Sequence, residues 1–353
     1  MKGKNNRKKI KTLYILGAGA SYGATGTSVK NSQAPLDKDF CKRIKELDYQ
    51  KPQWASNSRD LLLKQWKDFK PFDTIGLEAA VLKQLGHLEF LESIHKRRMK
   101  GVLSQSEYLN HLAHLICFIL RKVKPSRLDP YRELFNKKFG QYDIKKVNNR
   151  IITFNYDDIL DRHFVEKFGP QKTYFDKIKT RKDAGYRRRE AKFESPLVLK
   201  LHGSINWLCQ TEEFERLISE VESKADPYEI KSIWFSKSKI PSPEDSESPV
   251  VIPPLPVKPI TSISLFEWLW TKAYEYLHEA EEIVVCGYSL PNTDRMATSL
   301  FSNFENQNLR KITVVDKDPT VLNKWRGLLR RNGISNARWS YCETFEEYTT
   351  DQL

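Results

Sequence analysis

Five short apolar runs constrain this chain more than any other feature. They are "KTLYILGAGAS" (11–21), "NRIITFNYD" (149–157), "PLVLKLHG" (196–203), "AEEIVVCGYSL" (280–290) and "RKITVVDKD" (310–318). Each is rich in β-branched residues and ends in Gly, Ser, Asn, Asp or His. Runs that are apolar throughout belong in a sheet covered on both faces. Helical stretches such as "SLFEWLWTKAYEYLHEAE" and "PTVLNKWRGLLRRNG" lie between some of them. Buried strands alternating with helices predict an α/β chain with a doubly wound, mostly parallel sheet. Ligands of such sheets gather at the carboxyl ends of the strands, where the polar residues fall here.

The alternation is interrupted once. Residues 55–147 show only helical signals, as in "TIGLEAAVLKQLGHLEFLESIHKR" and "SQSEYLNHLAHLICFILRKV", and Ser104 and Glu107 have capping-box spacing. This predicts a helical module inserted into one domain spanning 1–353, its sheet core drawn from 11–30 and 149–345. A short helix is expected at "LDKDFCKRIKEL". The Pro/Ser-rich residues 235–262 predict an exposed loop, either a lid, a contact arm or a plain surface connection.

The formal net charge is +14, concentrated at "MKGKNNRKKIK" and at 177–192. This permits contact with nucleic acid or another polyanion. Neither run interleaves the aromatics of a single-strand stacking platform, so a basic solvated surface accounts for it equally. Cys41, Cys117, Cys209, Cys286 and Cys342 form no C-x-x-C pair, which argues against structural zinc and a disulfide framework. The charged start runs straight into a strand, so no signal peptide is expected. The longest apolar stretch, "LAHLICFIL", is too short to span a bilayer, and a cytoplasmic location with no membrane contact is expected.

The turn after the first run, with Gly17, Gly19 and Gly23, is spaced G-x-G-x-x-x-G. A second strand ending in an acid about 20 residues later, as dinucleotide-binding dehydrogenases require, is missing. Asp37 and Asp39 lie in polar sequence instead. The glycines suit either a phosphate cradle or a plain tight turn. Asp316 ends an apolar strand and suits a ribose hydroxyl or a helix cap. Asn155 and Asp157 follow another strand, where Asn155 either orients a water or ribose hydroxyl or closes an Asx-turn. His202 stands apart from the other histidines, which lie in expected helices; at a strand end it can act as a base near neutral pH. Gly287, Ser289 and Asp294 follow a further strand, for close backbone approach, a phosphate contact or a turn.

Together, "GAGAS", "TFNYD", "KLHGS", "GYSLP" and "VVDKD" resemble the sirtuin superfamily, most closely the sirtuin-like domains of prokaryotic antiviral defence proteins. The resemblance covers about 11–30 and 149–320 but not the helical module. It implies a Rossmann-like domain that binds NAD+ as substrate and breaks its nicotinamide–ribose bond, depleting NAD+ in antiphage defence by abortive infection. Gly17, Ala18, Gly19 and Ser21 would line the phosphates, with Asn155 and Asp157 beside the nicotinamide ribose. His202 would be catalytic, and Gly287, Ser289 and Asp316 would hold the phosphate and adenosine side. It implies no metal, a homo-oligomer, and control by a partner encoded nearby, such as an ATPase or another nucleotide-processing protein. Protein-deacylating sirtuins carry a four-cysteine zinc module and a Gln before the motif Asn; this chain has neither, with Phe154 at the Gln position. Direct hydrolysis is therefore favoured over an NAD-dependent deacylase or a non-catalytic sensor of NAD or ADP-ribose.

Overall fold

The computed structural model describes residues 10–25, 32–47, 52–66, 76–94, 103–140, 146–180, 196–219, 230, 232–255, 263–291, 294–334 and 336–353. Most of each basic run falls outside them, as do residues 256–262 of the Pro/Ser-rich stretch. Strands among the described residues are β1 (Ile10–Leu16), β2 (Arg150–Thr153), β3 (Lys179–Thr180), β4 (Val198–Lys200), β5 (Gly203–Gln210), β6 (Trp234–Phe235), β7 (Glu247–Val251), β8 (Ala280–Cys286), β9 (Lys311–Val315) and β10 (Arg338–Cys342).

β10-β9-β8-β1-β2-β4 form one six-stranded sheet, parallel throughout. Ranked by their place in the chain, these strands stand as 6-5-4-1-2-3, the doubly wound order of Rossmann-like folds. From β1 the chain builds outward through β2 and β4, then returns to β8 and builds outward the other way. The switch falls between β1 and β8, and the crevice at their carboxyl ends is where such sheets bind ligands. The five apolar runs supply five of the strands. The sixth, β10, lies at the edge with only Cys342 buried, so it lacks a continuous apolar signature.

The strand that follows β1 in the sheet does exist, but helices separate the two. They are α1 (Ala18–Ala24), α2 (Asp37–Lys45), α3 (Gln53–Trp66), α4 (Leu77–Ile94), α5 (Gln105–Arg121) and α6 (Pro130–Lys138). α5 is their core. Ser104 accepts from Glu107 N–H at its start, and the Glu107 carboxylate accepts from Ser104 N–H, completing the capping box. Its apolar residues, including Leu112, Leu115, Ile116 and Ile119, are buried, each contributing about 1.5–3 kcal/mol. α5 packs against α2, α3, α4, β5 and β7, so the insertion is joined to the rest of the chain through a buried helix. The later helices are α7 (Ile159–Phe168), α8 (Pro170–Thr173), α9 (Thr211–Ser219), α10 (Ser264–Glu279), α11 (Arg295–Ser302), α12 (Thr320–Arg331) and α13 (Phe345–Glu347).

A second sheet, β3-β6-β5-β7, corrects the expectation of a loop over 235–262. β7 lies inside that stretch and is buried along its whole length. Pro249 pairs opposite Leu208, which β7 tolerates because it is an edge strand. The chain passes from the first sheet to the second at Leu201–His202, so His202 sits at their junction. Gly203 makes this turn possible: its φ is +84°, and a Cβ there would lie 2.0 Å from the Val250 carbonyl oxygen.

Candidate active site

A cavity of about 660 Å³ opens at the carboxyl ends of β1, β2, β8 and β9, within the size range of small-molecule sites. Ala18, Gly19, Ser21, Asn155, Asp157, His202, Gly287, Ser289 and Asp316 all line it; Gly17 stands one residue behind its wall. Residues far apart in sequence thus meet around one space. A further wall comes from Leu36, Asp37 and Phe40 at α2 and from Leu77, Glu78 and Leu120 of the helical insertion. Asp37 Oδ1 accepts from Glu78 N–H at the start of α4 (3.0 Å), and burial pushes its carboxyl up from the usual carboxylate range. The lining is more acidic than basic, although the chain carries +14. Among the described lining residues, Asp37, Glu78, Asp157, Asp294, Asp316, Glu343 and Glu346 stand against Lys38 and Lys317, besides His202.

The glycines join two loops of the site. Gly17 N–H donates to Cys286 O (3.0 Å) and Gly19 N–H to Gly287 O (3.0 Å). A Cβ on Gly17 would lie 2.5 Å from Gly287 O, and one on Gly287 would lie 2.2 Å from Ala20 N. The β1–α1 turn and the loop after β8 therefore touch backbone to backbone. Gly17 and Gly19 do not offer their N–H groups to a phosphate; both are spent on this junction. No acceptor among the described residues meets the N–H of Ala18, which is exposed at the first position of α1.

Asn155 is fixed from the other side of the same turn. Its Nδ2 donates to Gly17 O (2.8 Å) and to Ser21 Oγ (2.9 Å). Because Gly17 O can only accept, the amide must present nitrogen there, and both of its N–H bonds are used. What Asn155 offers is the acceptor Oδ1. Ser21 Oγ is also 3.0 Å from Tyr131 Oη. Its hydroxyl belongs to a buried network that holds Asn155 in place. Burial pushes the Asp157 carboxyl up, opposed by nearby Lys200 and by Ser21. Lys200 itself, buried, donates to the Asp157 carbonyl oxygen and to Asp161 Oδ2 (2.8 Å). Arg121, at the end of α5, pairs with Asp158 (2.8 Å) and donates to Ile205 O (2.9 Å). The Asn155 loop is therefore braced from beneath by β4 and from the side by the insertion.

His202 is 6% exposed. Its ring is surrounded by Phe154, Tyr156 and Trp270, with centroids 5.3, 6.1 and 6.2 Å away. Phe154 in turn stacks on Tyr288 (4.2 Å, 5° between planes), forming an aromatic floor. The His202 Nε2 lies 3.5 Å from Asp294 Oδ2. Ser289 is exposed at the rim. Asp316 Oδ1 accepts from Asp318 N–H (2.9 Å), and burial pushes its carboxyl up. Lys200, Asp161, Arg121 and Tyr131 were not singled out from the sequence. A lysine ending an apolar strand, as in "LVLKLHG", was the one available signal, since a buried charge needs a partner.

The strand order and the cavity at the switch point stand beside one comparison. A family model for the SIR2-like domain matches residues 149–336, more than half of the chain. The chain belongs to the SIR2-like domain family. Among curated proteins, none matches it closely enough to count as a relative. SIR2-like domains are typically NAD-dependent enzymes, so membership implies NAD-related activity. The matched part of this SIR2-like chain holds Asn155, Asp157, His202, Gly287, Ser289 and Asp316, while the glycine turn lies outside it. That turn reaches the same cavity because β1 pairs between β8 and β2. All five cysteines are buried and none is in a disulfide, and no group of three or more His, Cys, Asp or Glu suited to a metal ion is found among the described residues. No described helix is long and apolar enough to cross a membrane.

Proposed function

We propose that the protein hydrolyses NAD+ to ADP-ribose and nicotinamide. The observation that carries this is Asn155: its amide is locked by Gly17 and Ser21 so that an acceptor oxygen is offered in the cavity that also holds His202. NAD+ fits the residues present. Asn155 Oδ1 and the Asp316 carboxylate suit ribose hydroxyls, which donate. The Phe154–Tyr288 stack suits a planar ring, and the acidic lining suits the cationic nicotinamide.

The C1′–N bond breaks with its electron pair passing to nicotinamide, which leaves neutral. The ribose becomes oxocarbenium-like, a charge that preorganised acceptors stabilise. Asn155 Oδ1 orients the attacking water, or the ribose, by accepting from it. Water oxygen bonds to C1′, and His202 takes the released proton and passes it to solvent. The sum is NAD+ plus water giving ADP-ribose, nicotinamide and a proton. In a cell, unrestrained hydrolysis would exhaust NAD+. We therefore place the activity in antiphage defence by abortive infection, gated by homo-oligomerisation or a partner protein encoded nearby.

Incubation of purified protein with NAD+, alone and with its neighbouring gene product, followed by product separation, tests this. Equal amounts of ADP-ribose and nicotinamide are expected. Nicotinamide release only when an acylated peptide is present would overturn the hydrolase reading in favour of a deacylase. Tight NAD+ binding with no product in any assembly state would make it a sensor.

A further inference from the structure

We infer that Asp294 is the positioning residue for His202. Its carboxylate holds the imidazole at Nε2 and offsets the charge the ring acquires on accepting a proton. Three observations carry this. The two side chains are buried and their facing atoms lie 3.5 Å apart. The Asp294 oxygens divide their work: Oδ1 accepts from Ala297 N–H (3.3 Å), capping α11, while Oδ2 accepts from Tyr288 Oη (3.2 Å) and faces His202. The cap occupies Oδ1 and leaves Oδ2 turned toward Tyr288 and His202. Tyr288 stays a donor, because burial and the adjacent carboxylate push its phenol well above the usual range.

The separation is longer than a hydrogen bond. Catalytic contacts of this kind commonly tighten when substrate binds. The ring is walled by Phe154, Tyr156 and Trp270, and Trp270 is itself pinned by donating Nε1–H to Leu201 O (3.1 Å). Little water reaches this contact, so the carboxylate acts on the imidazole through a weakly screening medium. When water loses its proton to His202 as its oxygen bonds to C1′, the new positive charge forms beside a fixed negative one.

The kinetic part of this inference rests on the hydrolase reading; the contact itself does not. Asp294→Asn keeps one oxygen as the acceptor for Ala297 N–H, puts an amide donor where Oδ2 faces Tyr288 and His202, and removes the charge. Two measurements are made on it and on the wild-type protein: steady-state NAD+ hydrolysis, and ring nitrogen spectra of protein labelled with 15N-histidine, with His202 assigned by its loss in His202→Gln. In the variant, kcat is expected to fall roughly ten- to a hundredfold, less than loss of a general base, while KM stays within about twofold. In the wild-type spectrum His202 is expected to carry a proton on Nε2, and its ring signals alone among the histidines should shift strongly in the variant. A kcat within about twofold of wild type, or a wild-type Nε2 without a proton, would overturn the inference. If the wild-type protein fails to hydrolyse NAD+ while the His202 signals still respond to Asp294→Asn, the hydrolase reading fails and the contact stands.

Discussion

The two sides of the cavity are built on opposite principles. On the glycine side, Gly17, Gly19 and Gly287 bring two loops together with no side chain between them, and backbone bonds backbone. On the Asn155–His202 side, nearly every contact is made by a side chain, and charges lie buried beneath it. The first side tolerates no added atom; the second tolerates no removed partner. The glycine motif therefore fixes the shape of the site, while its chemistry is fixed by a network that begins several strands away.

Substitutions at each side break or sharpen that contrast. The largest expected effect is Lys200→Met. It strands the Asp161 carboxylate, 1% exposed, without its cation, at a cost of about 3–5 kcal/mol. Burial already raises the Asp161 pKa above its ordinary value, and Lys200 is the main influence holding it down. A carboxyl raised in the folded state binds protons more tightly there than when unfolded. Its folded charged form is penalised above that pKa, and the penalty disappears as pH falls. Chemical denaturation of Lys200→Met should therefore show stability recovering from pH 7 toward pH 5; a steady loss over that range would contradict the pairing.

Gly17→Ala comes next. Its Cβ would meet Gly287 O at 2.5 Å, so the two loops must separate, costing about 1–3 kcal/mol. A melting temperature equal to wild type would contradict the close junction. Ser21→Ala should cost about 1–3 kcal/mol, because it leaves Asn155 and Tyr131 short of a buried partner. It should also slow turnover, because Asn155 loses one of its two anchors. Gly23→Ala is the smallest and has the opposite sign. It lies in α1 with open space at its Cβ position, so helix propensity predicts a gain of up to about 1 kcal/mol. Loss of stability at this third glycine would mean that the motif acts as one unit, which the geometry denies.

Much of the fold was legible because it depends on continuous apolar runs. β1, β2, β4, β8 and β9 read directly as buried strands, and Ser104 with Glu107 marked the start of α5. β7 was not legible. Its "ESPVV" includes Pro249 within a proline-rich stretch, and only an edge position paired with β5 makes that proline acceptable. The residues of the site were visible as strand ends, but their duties were not. The sequence of Gly17, Gly19 and Ser21 gives no sign of their partners Cys286, Gly287 and Asn155, which come from strands far along the chain. Asp294 could be seen at a strand end, yet nothing in the sequence brings it to within 3.5 Å of His202. Contacts between distant segments depend on strand order, which local pattern does not encode.

On the proposed reading, Asn155 and His202 carry a hydrolysis whose substrate is held mainly by other residues. Turnover and binding of NAD+ by Asn155→Ala and His202→Ala, measured side by side with wild type in the active assembly, test it most directly. Both variants are expected to fold, to bind NAD+ and to form ADP-ribose at least about a hundredfold more slowly. Full turnover by either variant would contradict it.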